Sequence, residues 1–135
     1  MNYGKLVRLA NNQMSKGMDA YAKQFGLTGM QMSIIDFVGN QPNCLQRDIE
    51  QTFNIQRSTA TVALQRMEKT GLITRASAPD DARQKTVALT DKAQALHQTV
   101  GAYIAKQQAA MNATFSPTEC ATFTRMLEYF IDLNR

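Results

Sequence analysis

The stretch from Gln56 to Thr90 constrains the fold of this chain most strongly, because a helical pattern is followed there by two strand-like runs. Apolar residues between Ser58 and Lys69 recur at spacings of three and four, which places them on one helix face: Ala60, Ala63, Leu64 and Met67. Gly71 then stands where a left-handed cap would end the helix. Residues 72–75 and 85–89 are β-branched and partly alternating, and residues 77–82 between them favour a turn. A helix followed by such a hairpin predicts a winged helix.

The opposite face of this helix is polar and positively charged, and it contains no Asp or Glu: Ser58, Thr61, Val62, Gln65, Arg66 and Lys69. Glu68 points to its side. A helix fits the DNA major groove, where Gln and Arg can pair with adenine and guanine edges and a small apolar side chain such as Val62 can meet a thymine methyl group. The face therefore predicts contact with DNA.

Three cations lie on the predicted hairpin. Arg75 and Lys85 flank its base, and Arg83 lies near its tip, where it could follow phosphates or enter the minor groove. We expect Asp81 to orient a neighbouring guanidinium rather than touch DNA, because a carboxylate facing phosphates is unfavourable. The hairpin is thus predicted to add contacts beside those of the helix.

Residues 46–53 form a further predicted helix, and Asn54 can adopt the positive φ of the corner that follows, which completes a helix-turn-helix. Gln46 and Arg47 begin this helix, near where such an element crosses the DNA backbone, so both could contact phosphates; an ordinary solvated helix end is the alternative. The full set of candidate DNA-binding residues is Gln46, Arg47, Arg57, Ser58, Thr59, Thr61, Val62, Gln65, Arg66, Lys69, Arg75, Asp81, Arg83 and Lys85.

Long helices are predicted on both sides of this segment. Residues 4–25 carry a helical apolar pattern that Gly26 ends, and Thr28 opens a second helix through a capping box with Gln31. That helix is expected to bury Met30, Ile34, Ile35, Phe37 and Val38. A very short strand is expected at residues 44–45, and Thr90 is expected to cap a helix that reaches about residue 113.

The last helix begins with a strong signal and carries a wide apolar face. Ser116, Pro117 and Glu119 supply a cap, a first-turn proline and the closing residue of a capping box. The stripe that follows is Phe123, Met126, Leu127, Phe130 and Ile131. Because so large an apolar face needs cover, we expect the first and last two helices to interlock with those of a second copy.

Composition bounds the class of protein without locating a site. Residues 44–92 carry a net charge of +2 and the rest of the chain carries the other +2, so bulk charge does not reveal the binding surface. Hydrophobic residues make up 44% of the chain, yet no apolar run approaches the roughly 18 residues of a membrane span, and no signal peptide is visible. We expect a folded cytoplasmic protein without a membrane partner.

The rarer residue types favour structural roles. Cys44 and Cys120 are expected to be small apolar residues rather than redox sensors, and Met14 and Met18 to pack in a core rather than line a ligand cavity. His97 and Asp36 are interpreted as structural or solvated, with a pH-sensing role and an edge of a ligand cleft as the respective alternatives. The chain offers no phosphate loop, paired metal ligands or nucleophile–base set, so we expect no enzyme activity, no metal and no cofactor.

The central segment resembles the DNA-binding core of the MarR (multiple antibiotic resistance regulator) family. The resemblance is carried by residues 55–61 and 64–75, by the Asp81-Ala82-Arg83 wing and by Leu89-Thr90, and it extends over nearly the whole chain. Ala82 stands where the family commonly has a second basic residue, which implies a weaker or less selective wing. Gln56 stands where Ser or Asp commonly caps the recognition helix, so we expect Ser58 or Thr59 to serve instead.

The resemblance implies a mainly α (α+β) winged helix-turn-helix homodimer that represses or activates transcription and is often released by small aromatic or phenolic ligands. In this sequence, residues 28–90 would form the DNA-binding lobe, residues 1–27 and 91–135 would form the helical dimerisation region, and residues 1–135 would make a single domain. The alternative is a winged-helix protein-interaction or scaffold module without sequence-specific DNA binding. Such a module would need neither the acid-free helix face nor a basic wing.

Overall fold

A computed structural model describes residues 2–135 as a mainly helical protein with one small antiparallel sheet, which confirms the predicted fold class. The elements in chain order are α1 (Tyr3–Lys23), α2 (Gly29–Asn40), α3 (Gln46–Phe53), α4 (Arg57–Lys69), β1 (Ile73–Ala78), β2 (Asp81–Leu89), α5 (Asp91–Thr114) and α6 (Pro117–Leu133). The chain forms two compact units, one ending at Val100 and one running from Gly101 to Arg135. Within residues 2–135, no helix is both long and apolar enough for a membrane span.

Local sequence signals set the starts of α2, α3 and α6. The predicted capping boxes are present at Thr28 with Gln31 and at Ser116 with Glu119. Asp48 performs the corresponding role in α3, where its carboxylate accepts a hydrogen bond of 2.9 Å from the backbone N–H of Leu45. These bonds satisfy N–H groups that would otherwise lack partners at the helix ends.

The start of α4 differs from the prediction. The helix begins at Arg57 with Gln56 at the N-cap, and no side chain caps it. The expectation that Ser58 or Thr59 would cap it is wrong, because both residues already lie in the first helical turn. Before this start, Asn54 takes a left-handed conformation with φ of 51°, as predicted for the corner of the helix-turn-helix.

Gly71 ends α4 in the predicted left-handed conformation, with φ of 77°. Its backbone N–H donates to the carbonyl of Glu68 at 3.0 Å, and the N–H of Leu72 donates to the carbonyl of Met67 at 2.9 Å. This pair of bonds is a Schellman motif, and the buried side chains of Leu72 and Met67 supply its hydrophobic contact.

The hairpin, or wing, is longer than predicted. Its strands pair regularly from Ile73 with Leu89 to Ser77 with Lys85. Beyond a bulge at residues 82–84, Ala78 pairs with Asp81, so residues 79–80 make the turn instead of residues 77–82. Turn-forming residue types mark where a chain can reverse, but antiparallel pairing continues until a two-residue connection suffices. Lys85 therefore lies opposite Ser77 near the tip and not at the base. The predicted short strand at residues 44–45 is present as a bridge between Leu45 and Thr86.

The first turn of α5 closes the base of the hairpin. Thr90 accepts from the N–H of Ala93 as the predicted cap, and its hydroxyl donates to the carbonyl of Gly71 at 2.6 Å. The ammonium group of Lys92 donates to the carbonyl of Thr70 at 3.1 Å. The end of α4, the base of the wing and the start of α5 are thus bonded together at one place.

The core of the first unit lies between α2, α3, α4 and the hairpin. Its buried members include Ile34, Ile35, Val38, Ile49, Leu64, Met67, Leu72, Ile73 and Val87. Met30 is 41% exposed and Met32 is fully buried, so the predicted burial of Met30 is wrong. The inner side of α2 runs through Met32, Ile35 and Val38 at spacings of three, and Met30 falls outside that stripe.

The structural roles expected for Asp36 and His97 agree with their contacts. The Asp36 carboxylate accepts a hydrogen bond of 3.2 Å from the side-chain amide of Asn40. The half-buried ring of His97 packs against Gly39, where an added Cβ would overlap the imidazole.

Apolar side chains remain exposed at both ends of the chain. In α1 only Ala22 is buried. Met14 is 60% exposed, so the prediction that it packs in a core is wrong for the single chain. No side chain of α6 is buried, and Phe123, Met126 and Ile131 are exposed. These surfaces are where the sequence predicts contact with a second copy.

Candidate nucleic-acid interface

Five of the six residues predicted on the outward face of α4 are exposed to solvent, and the sixth, Thr61, is half-buried. Ser58, Val62, Gln65, Arg66 and Lys69 are exposed, while Ala60, Leu64 and Met67 on the opposite side are buried. Arg57 and Thr59 are also exposed in the first turn. The buried side fixes the rotation of the helix about its axis, and this rotation presents an acid-free polar surface.

Gln46 is buried, so the alternative of an ordinary solvated helix end does not hold for this residue. It is 7% exposed, and its side chain is fully engaged. The amide nitrogen donates to Thr61 Oγ1 at 2.9 Å and to Glu50 Oε2 at 3.3 Å, and the amide oxygen accepts from Arg75 Nη1 at 3.0 Å. Partners within the protein thus occupy the polar atoms of the Gln46 side chain, and nothing in the structure supports the phosphate contact that the sequence predicted for it. Arg47, its neighbour, is exposed.

Arg75 is likewise occupied within the protein. Its Nε lies 2.9 Å from Glu68 Oε1, and its side chain is 15% exposed, against 35% for that of Glu68. The guanidinium thus joins β1 to α4 through Glu68 and to α3 through Gln46. The pairing also explains why Glu68 is directed away from the outward face of α4. The structure places Arg75 behind that face as a connecting residue.

The tip of the wing carries two exposed cations. Asp81 Oδ1 accepts from both the backbone N–H and the Nε of Arg83, at 3.0 and 3.2 Å, so the carboxylate orients a guanidinium as expected. The Arg83 side chain is 90% exposed. The Lys85 ammonium lies 3.3 Å from the hydroxyl of Ser77 across the strand pair. Each cation is therefore held by a contact within the wing.

A polar cleft of about 340 Å³ lies between α3, α4 and the wing. Its walls bring together most of the predicted cations with three polar side chains and one acid: Arg47, Arg57, Arg75, Arg83, Lys85, Gln46, Thr61, Gln84 and Glu50. No role was predicted for Gln84, which falls between the predicted turn and the predicted second strand. In the structure it is half-buried on β2 and lines the cleft together with Arg83 and Lys85.

The two cysteines lie in different environments. Cys44 is buried, and loss of solvent, with a smaller contribution from the charge of Asp48, raises the pKa of its thiol to about 11. This agrees with a small apolar role, since the reactive thiolate is disfavoured. Cys120 is half-buried and lines an apolar cavity of about 530 Å³ in the second unit, beside Met111, Phe115 and Phe123. Residues 2–135 contain no group of three or more metal-binding side chains.

A helix-turn-helix with an adjoining hairpin, an outward polar helix face and cations at the hairpin tip is the architecture of a DNA-binding transcriptional regulator. Comparisons with known proteins identify the family. A sequence model of the MarR family matches residues 25–84. The homoprotocatechuate degradative operon repressor of Escherichia coli is 30% identical over 111 residues, which are 82% of this chain and 75% of that protein.

Solved structures agree. The crystal structure of the transcription regulator MarR from Oenococcus oeni PSU-1 is 40% identical, with a TM-score of 0.79 over 97% of this chain and 99% of that one. The structure of S. aureus MepR in a DNA-binding conformation has a TM-score of 0.91 at 20% identity, covers 100% of both chains and shows the shared fold. This chain belongs to the MarR family of transcriptional regulators.

Proposed function

We propose that this chain is a repressor that binds a pseudo-palindromic operator as a homodimer. The observation that carries the proposal is the exposed, acid-free face of α4 beside a wing whose tip holds Arg83 and Lys85. The E. coli relative is itself named as an operon repressor, which supports the direction of regulation. The two α4 helices of the dimer would enter successive major grooves roughly 34 Å apart.

Each part of the proposed interface has a different task. Gln65 and Arg66 would pair with base edges in the major groove, and Val62 would meet a thymine methyl group. The remaining exposed residues would bind phosphates or the minor groove: Arg47, Arg57, Ser58, Thr59, Lys69, Arg83 and Lys85. Phosphate contacts position the protein and base contacts select the sequence, so the operator would be read mainly by the middle of α4.

The dimer would be formed by the long terminal helices. Leu6, Leu9 and Met14 of α1 and Met126 and Ile131 of α6 are exposed apolar side chains that a second copy would cover. We accordingly assign residues 1–27 and 91–135 to the dimerisation region and residues 28–90 to the DNA-binding lobe. Two-fold symmetry of such a dimer would match the two-fold symmetry of its operator.

An aromatic or phenolic effector would release the operator by shifting a conformational equilibrium. It would have to bind more tightly to a dimer whose two lobes are spaced incorrectly for successive grooves, because equal affinity for both spacings would change nothing. The family resemblance supports this part of the proposal.

The decisive experiment is a fluorescence-anisotropy titration with labelled duplex from the region flanking the chain's own gene, at two salt concentrations. A scrambled duplex of the same composition serves as the control. We expect preference for the native duplex and affinity that falls steeply as salt rises, since bound phosphates release counterions. Equal affinity for both duplexes would contradict a sequence-specific repressor. No binding to either would favour a protein-interaction module.

A further inference from the structure

A chain of three hydrogen-bonded side chains runs from the wing to the recognition helix α4. Arg75 on β1 donates to the Gln46 amide oxygen at 3.0 Å, and the Gln46 amide nitrogen donates to Thr61 Oγ1 at 2.9 Å. The two inner members are largely removed from water, with Gln46 7% exposed and the Arg75 side chain 15% exposed. Thr61, on the surface side, is half-buried and lines the polar cleft.

The neighbours of Gln46 fix which way its amide points. The guanidinium of Arg75 has only donors, so it requires the amide oxygen. The carboxylate of Glu50, 3.3 Å from the amide nitrogen, is an acceptor when ionised and requires the NH₂ group. With the amide reversed, the NH₂ group would face the donors of Arg75 and the amide oxygen would face the acceptor of Glu50. Gln46 therefore presents N–H, and not oxygen, to Thr61.

The hydrogen bond from Gln46 determines which hydrogen-bonding capacity of the Thr61 hydroxyl remains unused. One acceptor site of Oγ1 is used by Gln46, and the hydroxyl hydrogen has no partner among residues 2–135. Other helical threonines behave differently, because their hydroxyls donate to the carbonyl four residues earlier, as Thr99 does to Ala95 at 3.0 Å and Thr122 to Thr118 at 2.9 Å. Thr61 retains a free donor at the edge of the cationic cleft.

We infer that Thr61 donates a hydrogen bond to an acceptor atom of DNA, and that Gln46 and Arg75 are positioning residues that set the direction of this donor. The inference rests on the proposed function and adds a specificity-determining contact to it. DNA offers acceptors in phosphate oxygens and in the N7, O6 and O4 atoms of the major groove. Each hydrogen bond would then run from donor to acceptor in the same direction: from Arg75 to Gln46, from Gln46 to Thr61, and from Thr61 to DNA.

A double-mutant cycle tests the coupling between Gln46 and Thr61. Thr61→Val keeps the shape of the side chain and removes the hydroxyl, whereas Thr61→Ser keeps the hydroxyl and is the matched control. Gln46→Met keeps the length of the side chain and removes its three hydrogen bonds, to Thr61, Glu50 and Arg75. Binding is measured with a duplex selected from a random pool by the wild-type chain.

We expect Thr61→Val to weaken binding by about threefold to tenfold, the range for one hydrogen bond, and Thr61→Ser to remain within about twofold of wild type. Because Gln46 acts through the hydroxyl, Gln46→Met in the Thr61→Val background should cause no further loss. Losses that multiply in the double variant would overturn the positioning role of Gln46. Wild-type affinity in Thr61→Val would overturn the donor itself.

The same variants distinguish the two possible acceptors. If the acceptor is a phosphate, Thr61→Val loses the same factor on the selected duplex and on a random duplex. If it is a base, the loss is confined to the selected duplex and disappears when one base pair is changed. Either result supports the donor, and the comparison identifies its partner.

Arg75→Met separates positioning from direct phosphate contact. We expect its affinity to fall while the slope of log K against log salt is unchanged, whereas loss of a phosphate-binding cation lowers the slope by about 1. A lowered slope for Arg75→Met would overturn its positioning role. Thermal denaturation confirms that each variant is folded, and the Thr61 variants test the inference should Arg75→Met unfold. A wild-type chain that binds no duplex overturns both this inference and the proposed function, whereas DNA binding with multiplying losses overturns only the inference.

Discussion

Asp81 and Arg83 form a compact unit at the wing tip, in which one carboxylate oxygen accepts from the backbone N–H of Arg83 at 3.0 Å and from its Nε at 3.2 Å. The Arg83 side chain is 90% exposed, so the ion pair itself adds little stability. Its effect is to restrict the directions in which an otherwise mobile guanidinium points. Restricting the arginine before binding reduces the entropy lost when it meets DNA.

Removing the carboxylate should therefore weaken DNA binding even though it removes a negative charge from the interface. We expect Asp81→Ala to lose affinity severalfold, and Asp81→Asn to lose less, because its side-chain oxygen can still accept from the Arg83 backbone. Arg83→Ala should lose more and should lower the salt slope by about 1. Tighter binding by Asp81→Ala in anisotropy titrations would show that repulsion of DNA is its main effect.

Arg66 lies on the exposed face of α4, and its side chain makes no ion pair or side-chain hydrogen bond within residues 2–135. Arg66→Ala should weaken binding to the selected duplex by at least about tenfold, the order of one bidentate base contact, without a change in Tm. Lys106→Ala, which removes an exposed cation from α5, is the control and should bind normally. Mobility shifts that do not change for Arg66→Ala would count against the proposed surface.

The left-handed conformation of Gly71 allows a test of stability that does not depend on DNA. An added Cβ would meet nothing within 4 Å, so only backbone strain opposes a larger residue there. Gly71→Ala should reduce the free energy of unfolding by about 1–2 kcal/mol, and Gly71→Asn by less, because Asn tolerates this conformation. The measurement is urea denaturation of the three proteins. Equal stability of all three would mean that the Schellman motif does not hold the glycine in place.

Local signals in the sequence were sufficient for much of the fold. The capping boxes at Thr28 and Ser116 and the positive φ values at Asn54 and Gly71 each depend on neighbouring residues, and all were predicted correctly. The strand ends were not, because turn-forming residue types do not reveal how far pairing continues beyond them.

The internal contacts of Gln46 and Arg75 were not predicted, for a different physical reason. Gln46 contacts a residue 15 positions away and Arg75 contacts Gln46 across 29 positions, so helical spacing alone leaves both apparently free for DNA. The position of a residue on a helix or strand predicts the direction of its Cα–Cβ bond. It does not predict whether a partner from another element meets it. For Val62, Gln65 and Arg66, whose surroundings are solvent, the assignment to DNA remains a prediction.

Cys44 should make folding stability sensitive to alkaline pH. The folded state holds the thiol proton up to a pKa of about 11, whereas the ordinary value is 9.0. The unfolded chain therefore releases this proton first, so the stabilisation is complete below pH 9 and is lost as pH rises toward 11. We expect a decrease of up to about 2–3 kcal/mol in the free energy of unfolding over this range.

The control for this prediction is Cys44→Ala, because lysines and tyrosines also titrate at high pH. Its free energy of unfolding should fall less between pH 9 and 11 than that of the wild type. Parallel pH profiles for the two proteins would contradict the prediction, because they would mean that the pKa of the thiol is the same in the folded and unfolded states.

The exposed apolar face of α6 predicts the oligomeric state. Met126→Glu places a charge on the surface proposed to lie between two copies, so we expect it to shift the protein from dimer to monomer in analytical ultracentrifugation. Arg125→Glu introduces the same residue one position earlier, at an exposed polar site on the same helix, and should remain dimeric. A wild-type protein that sediments as a monomer would contradict the dimer at once.

Thr90 and Lys92, just after the second strand of the wing, bond to the carbonyls of Gly71 and Thr70, just before the first strand. Both ends of the wing are thus held together at one place. Because these bonds hold the base of the wing, we expect that length added or removed at the tip would leave the body of the lobe unchanged. Residues inserted in cross-strand pairs, two on each strand, would preserve which side chains face outward. We therefore expect that paired insertions at the tip would change the length of the wing while the contacts of Arg75 with Glu68 and Gln46, nearer the base, stay in place.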